Sequence, residues 1–279
     1  ELMGAEVIGL DLREPLTNAL KTEIYNAFLK YQLLVFRDQD LNKEEQVAFT
    51  EQFGELEKHT LTNKGASDSP FVHIVTNLDA EGKPTGKVKS TLWHSDKSFR
   101  EAPSMATLLH AKTLPPDGGD TCFANMYAAY DALADDLTTR FEGQTIKHDT
   151  KYTLDGFDRE DGPPVWEAID SGLFDVVALP GTSHPIVRTH PETSRRALYI
   201  GRRQNTYVNG LPLEESEALL DDLWAHAEEY GRDTMHHRWR VGDLVIWDNR
   251  CVMHRRDKFS PEARRVMHRT QIRAASAPV

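Results

Sequence analysis

Apolar residues in this chain of 279 residues come mostly in short runs. "LLVFR" (33–37), "MATLLHAKTL" (105–114), "WRVGDLVIWDNR" (239–250) and "RRVMHRTQIR" (264–273) are short and bounded by turn-forming or charged residues, so each predicts a strand. "VIGLDL" (7–12) alternates apolar and polar residues and predicts another, as do "PIVRTH" (185–190) and "RALYIG" (196–201) around the turn "PETSR". Helical spacing appears elsewhere. Leu16, Leu20, Ile24 and Phe28, four apart, predict a helix over 15–31. "LNKEEQVAFTEQFG" (41–54) predicts a second, with acids in its first turn and Gly54 as C-cap. Tyr130, Leu133, Leu137 and Phe141 share one face of a helix over 126–143, and a further helix is predicted over 212–231. The region 59–92 loses periodicity and reads as loop, and "PPDGGD" (115–120) is a strong turn. The stretch 149–183 is too long for a passive connector and is a candidate lid or binding loop. Many strands, scattered helices and no regular βαβ alternation predict a mainly β fold with added helices and a largely antiparallel core.

Composition narrows the function. A net charge of −11 argues against nucleic-acid binding, which needs a basic surface. No apolar run approaches a membrane span, and the first 20 residues carry no leader pattern, so a cytoplasmic protein is expected. Two cysteines make no disulfide framework. The length and the lack of a linker point to a single domain over 1–279.

Against this background "TLWHSDKSF" (91–99) stands out. In extended backbone, residues i and i+2 point the same way, so His94 and Asp96 can converge on one ion. His-x-Asp is weak alone, because a chain with 12 histidines yields such pairs by chance. A second histidine would complete the two-His, one-carboxylate set that leaves positions open on a metal. His254, in "DNRCVMHR" after the strongest strand, is the best placed. Arg265 and Arg269 then share a strand face with Met267 between them, and two inward guanidiniums call for bound anions. The bland alternative is that both face solvent. His190-Pro-Glu192, His226-Ala-Glu228 and His236-His237 read as structural residues: a turn, a helix on which the pair diverges, and adjacent positions facing opposite ways.

"WHSDKSF", "PPDGGDT" (115–121), "NMYAAYDAL" (125–133), "VRTHPETSRRALYIG" (187–201), "GDLVIWDNRCVMHR" (242–255) and "RRVMHRT" (264–270) occur in this order. Together they resemble the Fe(II)/2-oxoglutarate-dependent dioxygenases of the taurine dioxygenase and 2,4-dichlorophenoxyacetate dioxygenase group, from "GAEVIGLDLREPL" (4–16) to about residue 273. The resemblance implies a double-stranded β-helix, the clavaminate-synthase-like jelly roll. It implies Fe(II) held by His94, Asp96 and His254, with 2-oxoglutarate and O2 as co-substrates. It places Arg265 and the Thr121 hydroxyl on the distal carboxylate of 2-oxoglutarate, and Arg269 near the keto-acid end and the substrate's anionic group. It also implies a homo-oligomer, dimer or tetramer.

Taurine-type members carry a His followed three residues later by Tyr after "FGEL", and an Asn four residues before the first iron-binding His. Here those positions hold His59 with Thr62, and Ser90. The branch most similar is the aryloxyalkanoate one. The expected reaction is hydroxylation of a small aryloxyalkanoate-like carboxylate followed by ether cleavage, with Arg269, His59 and Ser90 as candidate substrate contacts. Taurine or alkylsulfonate oxidation, a zinc hydrolase using the same triad, and a non-catalytic jelly-roll anion binder remain open alternatives.

Overall fold

A computed structural model describes residues 3–58, 69–86, 88, 92–149, 181–203, 206–231 and 235–279. The first half comprises β1 (Ala5–Val7), α1 (Asn18–Tyr31), β2 (Leu33–Phe36), α2 (Lys43–Glu51), β3 (His73–Thr76), β4 (Ser104–Thr113), β5 (Thr121–Asn125), α3 (Met126–Asp131), α4 (Asp135–Phe141) and β6 (Thr145–Asp149). The second comprises β7 (Gly181–Pro185), β8 (Val187–Thr189), β9 (Arg196–Leu198), β10 (Tyr207–Val208), α5 (Leu213–Tyr230), β11 (Met235–His237), β12 (Leu244–Asp248), β13 (Val252–Arg256) and β14 (Val266–Arg273). The mainly β expectation holds: β1–β2–β12–β4–β14–β3 form a major sheet, and β11–β5–β13, β10–β6–β7 and β8–β9 form smaller ones. Among the described residues every strand pair is antiparallel except β1 with β2.

The unbroken apolar runs of β2 and β12 follow from cover on both faces of the major sheet. Leu34, Phe36, Leu244 and Ile246 pack with Ile24 and Phe28 of α1 and Phe49 of α2. Leu33, Val35, Val245 and Trp247 face the other way, into a core shared with Phe123, Val252 and Met253 of the minor sheet. The two sheets of the jelly roll meet here, with the Phe123 and Trp247 rings 5.4 Å apart. Each large apolar side chain buried in these layers contributes about 1.5–3 kcal/mol.

The helices are set by local chemistry. Thr17 caps α1 by accepting from the Leu20 amide, and Gln32 closes it in the left-handed conformation (φ 60°). Asn42 and Glu45 form a capping box on α2. Gly54 is not its C-cap; Gln52 is. Gly54 instead sits against Ile272, where an added Cβ would lie 2.6 Å from Cγ2. The single helix expected over 126–143 is two. The Asn125 side chain caps α3, and Ala134, in extended backbone, starts α4 anew. This bend lets both Leu133 and Phe141 reach the core. The expected strand at 7–12 is displaced to Ala5–Val7. Part of the expected loop at 59–92 is β3, paired with β14. Of the expected lid at 149–183, Asp149 and 181–183 lie in strands β6 and β7, and 150–180 fall outside the described residues.

One ion-pair network ties the major sheet to the turn between β8 and β9. The buried Asp248 carboxylate accepts from His190 Nε2 at 3.1 Å, from the Arg250 amide at 2.9 Å, and from Arg250 Nε and Nη2 at 2.8 Å each. Burial pushes this carboxyl up, but Arg250 and His190 outweigh it and hold it well below its ordinary 3.8. Asp248→Ala should cost about 3–5 kcal/mol, because it strands a buried guanidinium. A carboxyl depressed on folding stabilises above its unfolded pKa, so the difference between wild type and variant should shrink as pH falls below about 4. Denaturant titrations at pH 7 and at lower pH test this; a pH-independent loss under about 1 kcal/mol would contradict it.

Candidate functional site

His94 and His254 form an isolated antiparallel bridge, exchanging amide–carbonyl hydrogen bonds of 3.0 and 2.9 Å. Directly paired residues on neighbouring strands point the same way, and here the two imidazole centroids are 4.2 Å apart. Asp96, two residues along, joins them, with Oδ1 3.6 Å from His94 Nε2. One donor atom from each of the three side chains lies within 4.8 Å of the other two.

The rest of each side chain is held away from that point. His94 Nδ1 lies 2.9 Å from the Leu92 carbonyl, to which it donates, leaving the Nε2 lone pair facing inward. Asp96 Oδ2 accepts from Thr107 Oγ1 at 2.7 Å and from Gln271 Nε2 at 3.1 Å, so Oδ1 is left for an ion. Asn249 Nδ2 donates to Thr107 Oγ1 at 2.9 Å, and Trp247 Nε1 donates to Asn249 Oδ1 at 3.0 Å. The His254 ring packs against Trp247, 4.7 Å between centroids.

Burial, and secondarily the Arg202 charge, lowers the His94 pKa; burial and then His94 hold His254 well below its usual range. For Asp96, burial pushes upward, but Arg269 and the two histidines outweigh it and the carboxyl is held well below its ordinary range. Two neutral imidazoles and one carboxylate are the forms that ligate. The donor set suits a divalent ion of borderline hardness with coordination positions left over.

The three residues line a cavity of about 520 Å³ that also contains Thr121, Arg265 and Arg269. Arg265 is 4 % exposed; Nη2 donates to the Gly119 carbonyl at 3.2 Å and Nε has no acceptor. Its backbone is clamped from β3: the Arg265 amide donates to Asn77 Oδ1 at 3.0 Å, and Thr76 Oγ1 donates to the Arg265 carbonyl at 2.8 Å. The Gly-Gly turn is needed here. Gly118 has φ 72°, and a Cβ there would lie 2.3 Å from the Lys258 carbonyl oxygen. Thr121 Oγ1 accepts from Trp239 Nε1 at 3.0 Å, which leaves its hydroxyl proton for a ligand. Arg269 Nη1 lies 3.7 Å from Asp96 Oδ1, and its Nε has no acceptor.

The structure therefore gathers His94, Asp96, Thr121, His254, Arg265 and Arg269 around one cavity. His59 and Ser90 lie outside the described residues. Thr107, Gln271 and Asn249 were not singled out from sequence, although polar side chains inside otherwise apolar strands are the signal that would have found them. Asn77 and Trp239 carried no such signal. Of the other histidines, His190 binds Asp248, His226 Nε2 reaches the Ala129 carbonyl at 2.8 Å, and His237 Nε2 lies 3.1 Å from Asp243.

Comparison with known proteins gives a consistent set. The family model "Taurine catabolism dioxygenase TauD, TfdA family" matches residues 1–271. The chain is 36% identical over 283 residues to the alpha-ketoglutarate-dependent 2,4-dichlorophenoxyacetate dioxygenase of Cupriavidus pinatubonensis, covering 96% of this chain and 93% of that protein. It is 34% identical over 270 residues to the (S)-phenoxypropionate/alpha-ketoglutarate-dioxygenase of Sphingobium herbicidovorans, covering 96% and 91%. The crystal structure of AAD-2 in complex with Mn(II) and N-oxalylglycine superposes with a TM-score of 0.81 at 34% identity, covering 100% of this chain and 98% of that one. A taurine dioxygenase from Burkholderia xenovorans superposes with a TM-score of 0.78 at 30% identity, covering 100% and 88%. Among the described residues no helix is long and apolar enough to cross a membrane.

Proposed function

Because the chain belongs to the TauD/TfdA dioxygenase family, we propose that it hydroxylates an aryloxyalkanoate carboxylate at the carbon beside the ether oxygen. The enzyme is a 2-oxoglutarate-dependent dioxygenase that uses Fe(II), 2-oxoglutarate and O2. His94, Asp96 and His254 would hold the iron, and the fit rests on their neutral imidazoles and inward carboxylate oxygen. Bound there, Fe(II) supplies the oxidative decarboxylation of 2-oxoglutarate to succinate and the oxidising power for the C–H bond.

The observation that carries the substrate class is a pair of buried guanidinium N–H groups without acceptors, Arg265 Nε and Arg269 Nε, in one cavity. Two such donors call for two anions. Arg265 and Thr121 take the distal carboxylate of 2-oxoglutarate. Arg269, tethered to Asp96, takes the substrate carboxylate and so fixes which carbon lies nearest the three metal-binding side chains. Leu109, Val75 and Phe259 line the same cavity and give it an apolar wall for the substrate's ring. Hydroxylation beside an ether oxygen yields a hemiacetal, which breaks to a phenol and an oxo acid. The departures at His59-x-x-Thr62 and Ser90 from the taurine-type pattern support a carboxylate over a sulfonate.

The test is competition between substrates. With Fe(II) and 2-oxoglutarate, 2,4-dichlorophenoxyacetate or (S)-phenoxypropionate should give succinate and a phenol with kcat/KM at least about tenfold above succinate release with taurine, a difference near 1.4 kcal/mol. Equal or faster turnover of taurine would replace this reading with a sulfonate dioxygenase.

A further inference from the structure

His236 sits on β11 directly opposite Cys122 of β5, and on the other side of Cys122 its partner on β13 is Arg255. Thr121 lines the cavity and Phe123 packs on Trp247, so Cys122 between them projects from the outer face of the minor sheet. The chain leaving β13 returns over that face, where the Asp257 amide donates to the Asp120 carbonyl at 2.8 Å. Cys122 Sγ then lies 3.7 and 3.8 Å from the two Asp257 carboxylate oxygens. His236 Nε2 lies 2.9 Å from Asp257 Oδ2 and 3.7 Å from Asp120 Oδ2. Arg255 Nη1 holds the other oxygen, Oδ1, at 2.6 Å, so Oδ2 is the oxygen turned toward His236 and the sulfur.

We propose that Cys122, His236 and Asp257, with Asp120 as the nearest further donor, form a second metal site that takes a thiophilic divalent cation such as Zn²⁺. A sulfur, an imidazole nitrogen and a carboxylate oxygen lie within 4.8 Å of one another there. Ligand atoms about 2.0–2.3 Å from a tetrahedral zinc are roughly 3.3–3.7 Å apart. The sulfur lies 3.8 Å from Oδ2, just beyond that range, and His236 Nε2, 2.9 Å from Oδ2, has to swing outward to admit the ion. His236 and Asp257 side chains are 40% and 29% exposed, so an ion enters from solvent, and the buried sulfur closes the site from below. On binding, the Cys122 thiol gives its proton to solvent and its sulfur bonds the metal; the His236 Nε2 hydrogen, donated to Asp257 in the metal-free site, is given up from that nitrogen so that its lone pair ligates, and no oxidation state changes. The donor set differs from that of the catalytic cavity in its thiolate, which favours zinc over the harder Fe²⁺.

Cobalt(II) reports the difference, because only a thiolate ligand gives an intense sulfur-to-cobalt charge-transfer band. Metal-free full-length protein titrated anaerobically with Co²⁺ should bind two ions per chain and develop that band, and Zn²⁺ should bleach it. Cys122→Ser should abolish the band and leave one ion bound; His236→Asn should weaken the second ion at least tenfold. Cys251→Ser and His254→Ala should retain the band. Binding of a single ion without the band overturns the proposal. So does a band that survives Cys122→Ser and is lost in Cys251→Ser, which would move the site to Cys251 beside His190 and Asp248.

Discussion

Arg265→Met should raise the 2-oxoglutarate concentration for half-maximal turnover by about 10²–10⁴-fold and, in the same variant, make the protein without co-substrate more stable. The first effect follows from removing one partner of a buried charge pair, which costs roughly 3–5 kcal/mol. The second follows from what Arg265 does when no anion is bound. It is 4 % exposed, its Nε has no acceptor, and Gly119 offers only a neutral carbonyl. Burial, reinforced by the charge of Arg256, pushes its pKa far down from the ordinary guanidinium range, to about 9. A base with a lowered pKa in the fold is charged at a cost below that value. Ligand-free stability should therefore rise as pH climbs past about 9, and at neutral pH the whole penalty is present. Methionine keeps the stem's packing and removes the penalty, so the ligand-free melting temperature should rise by at least about 2 °C. Adding 2-oxoglutarate should stabilise wild type and leave Arg265→Met unmoved. A variant that is both less stable and unchanged in its 2-oxoglutarate requirement would show that Arg265 is a structural residue.

How far the sequence disclosed this site depends on the kind of signal each residue left. The double-sided cover of β2 and β12 is written into unbroken apolar runs, and the helices into caps such as Thr17 and Asn42. His94 and Asp96 were legible because i and i+2 share a face in extended backbone whatever the tertiary structure. His254 was legible only through its position after β12, since its partnership with His94 is a bridge between segments 160 residues apart. Strands β3, β5 and β13 escaped for a related reason. They are four or five residues long, and their order comes from pairing with β14 and with each other rather than from any local period. The break between α3 and α4 was hidden by an apolar spacing that fits one helix, because only the three-dimensional core requires both Leu133 and Phe141 to reach it from separate pieces.

Asp96→Asn should weaken Fe(II) binding at least about 100-fold and remove turnover, without unfolding the protein. The two carboxylate oxygens have different tasks: Oδ2 accepts from Thr107 and Gln271, and Oδ1 faces His94 and Arg269. A carboxamide can serve one side only. With its oxygen on Thr107 and Gln271, its NH2 points at the ion and brings no lone pair. With its oxygen inward, its NH2 meets the Gln271 amide donor, and two donors face each other in a buried place. Arg269 loses its ion pair either way, so the guanidinium proposed to hold the substrate carboxylate is no longer anchored. Thr107→Val calibrates the result. It leaves both Asp96 oxygens in place and removes one of the two hydrogen bonds to Oδ2, together with the bonds that Asn249 and Gln271 donate to the same hydroxyl; a loss of roughly 10- to 100-fold in metal affinity or activity is the ordinary range for such a change. Anaerobic equilibrium dialysis of Fe(II) against wild type and both variants should rank them wild type, Thr107→Val, Asp96→Asn. If Asp96→Asn bound Fe(II) as tightly as wild type, the carboxylate would have no place among the ligands. The His94–His254 pair would then need its third donor from elsewhere.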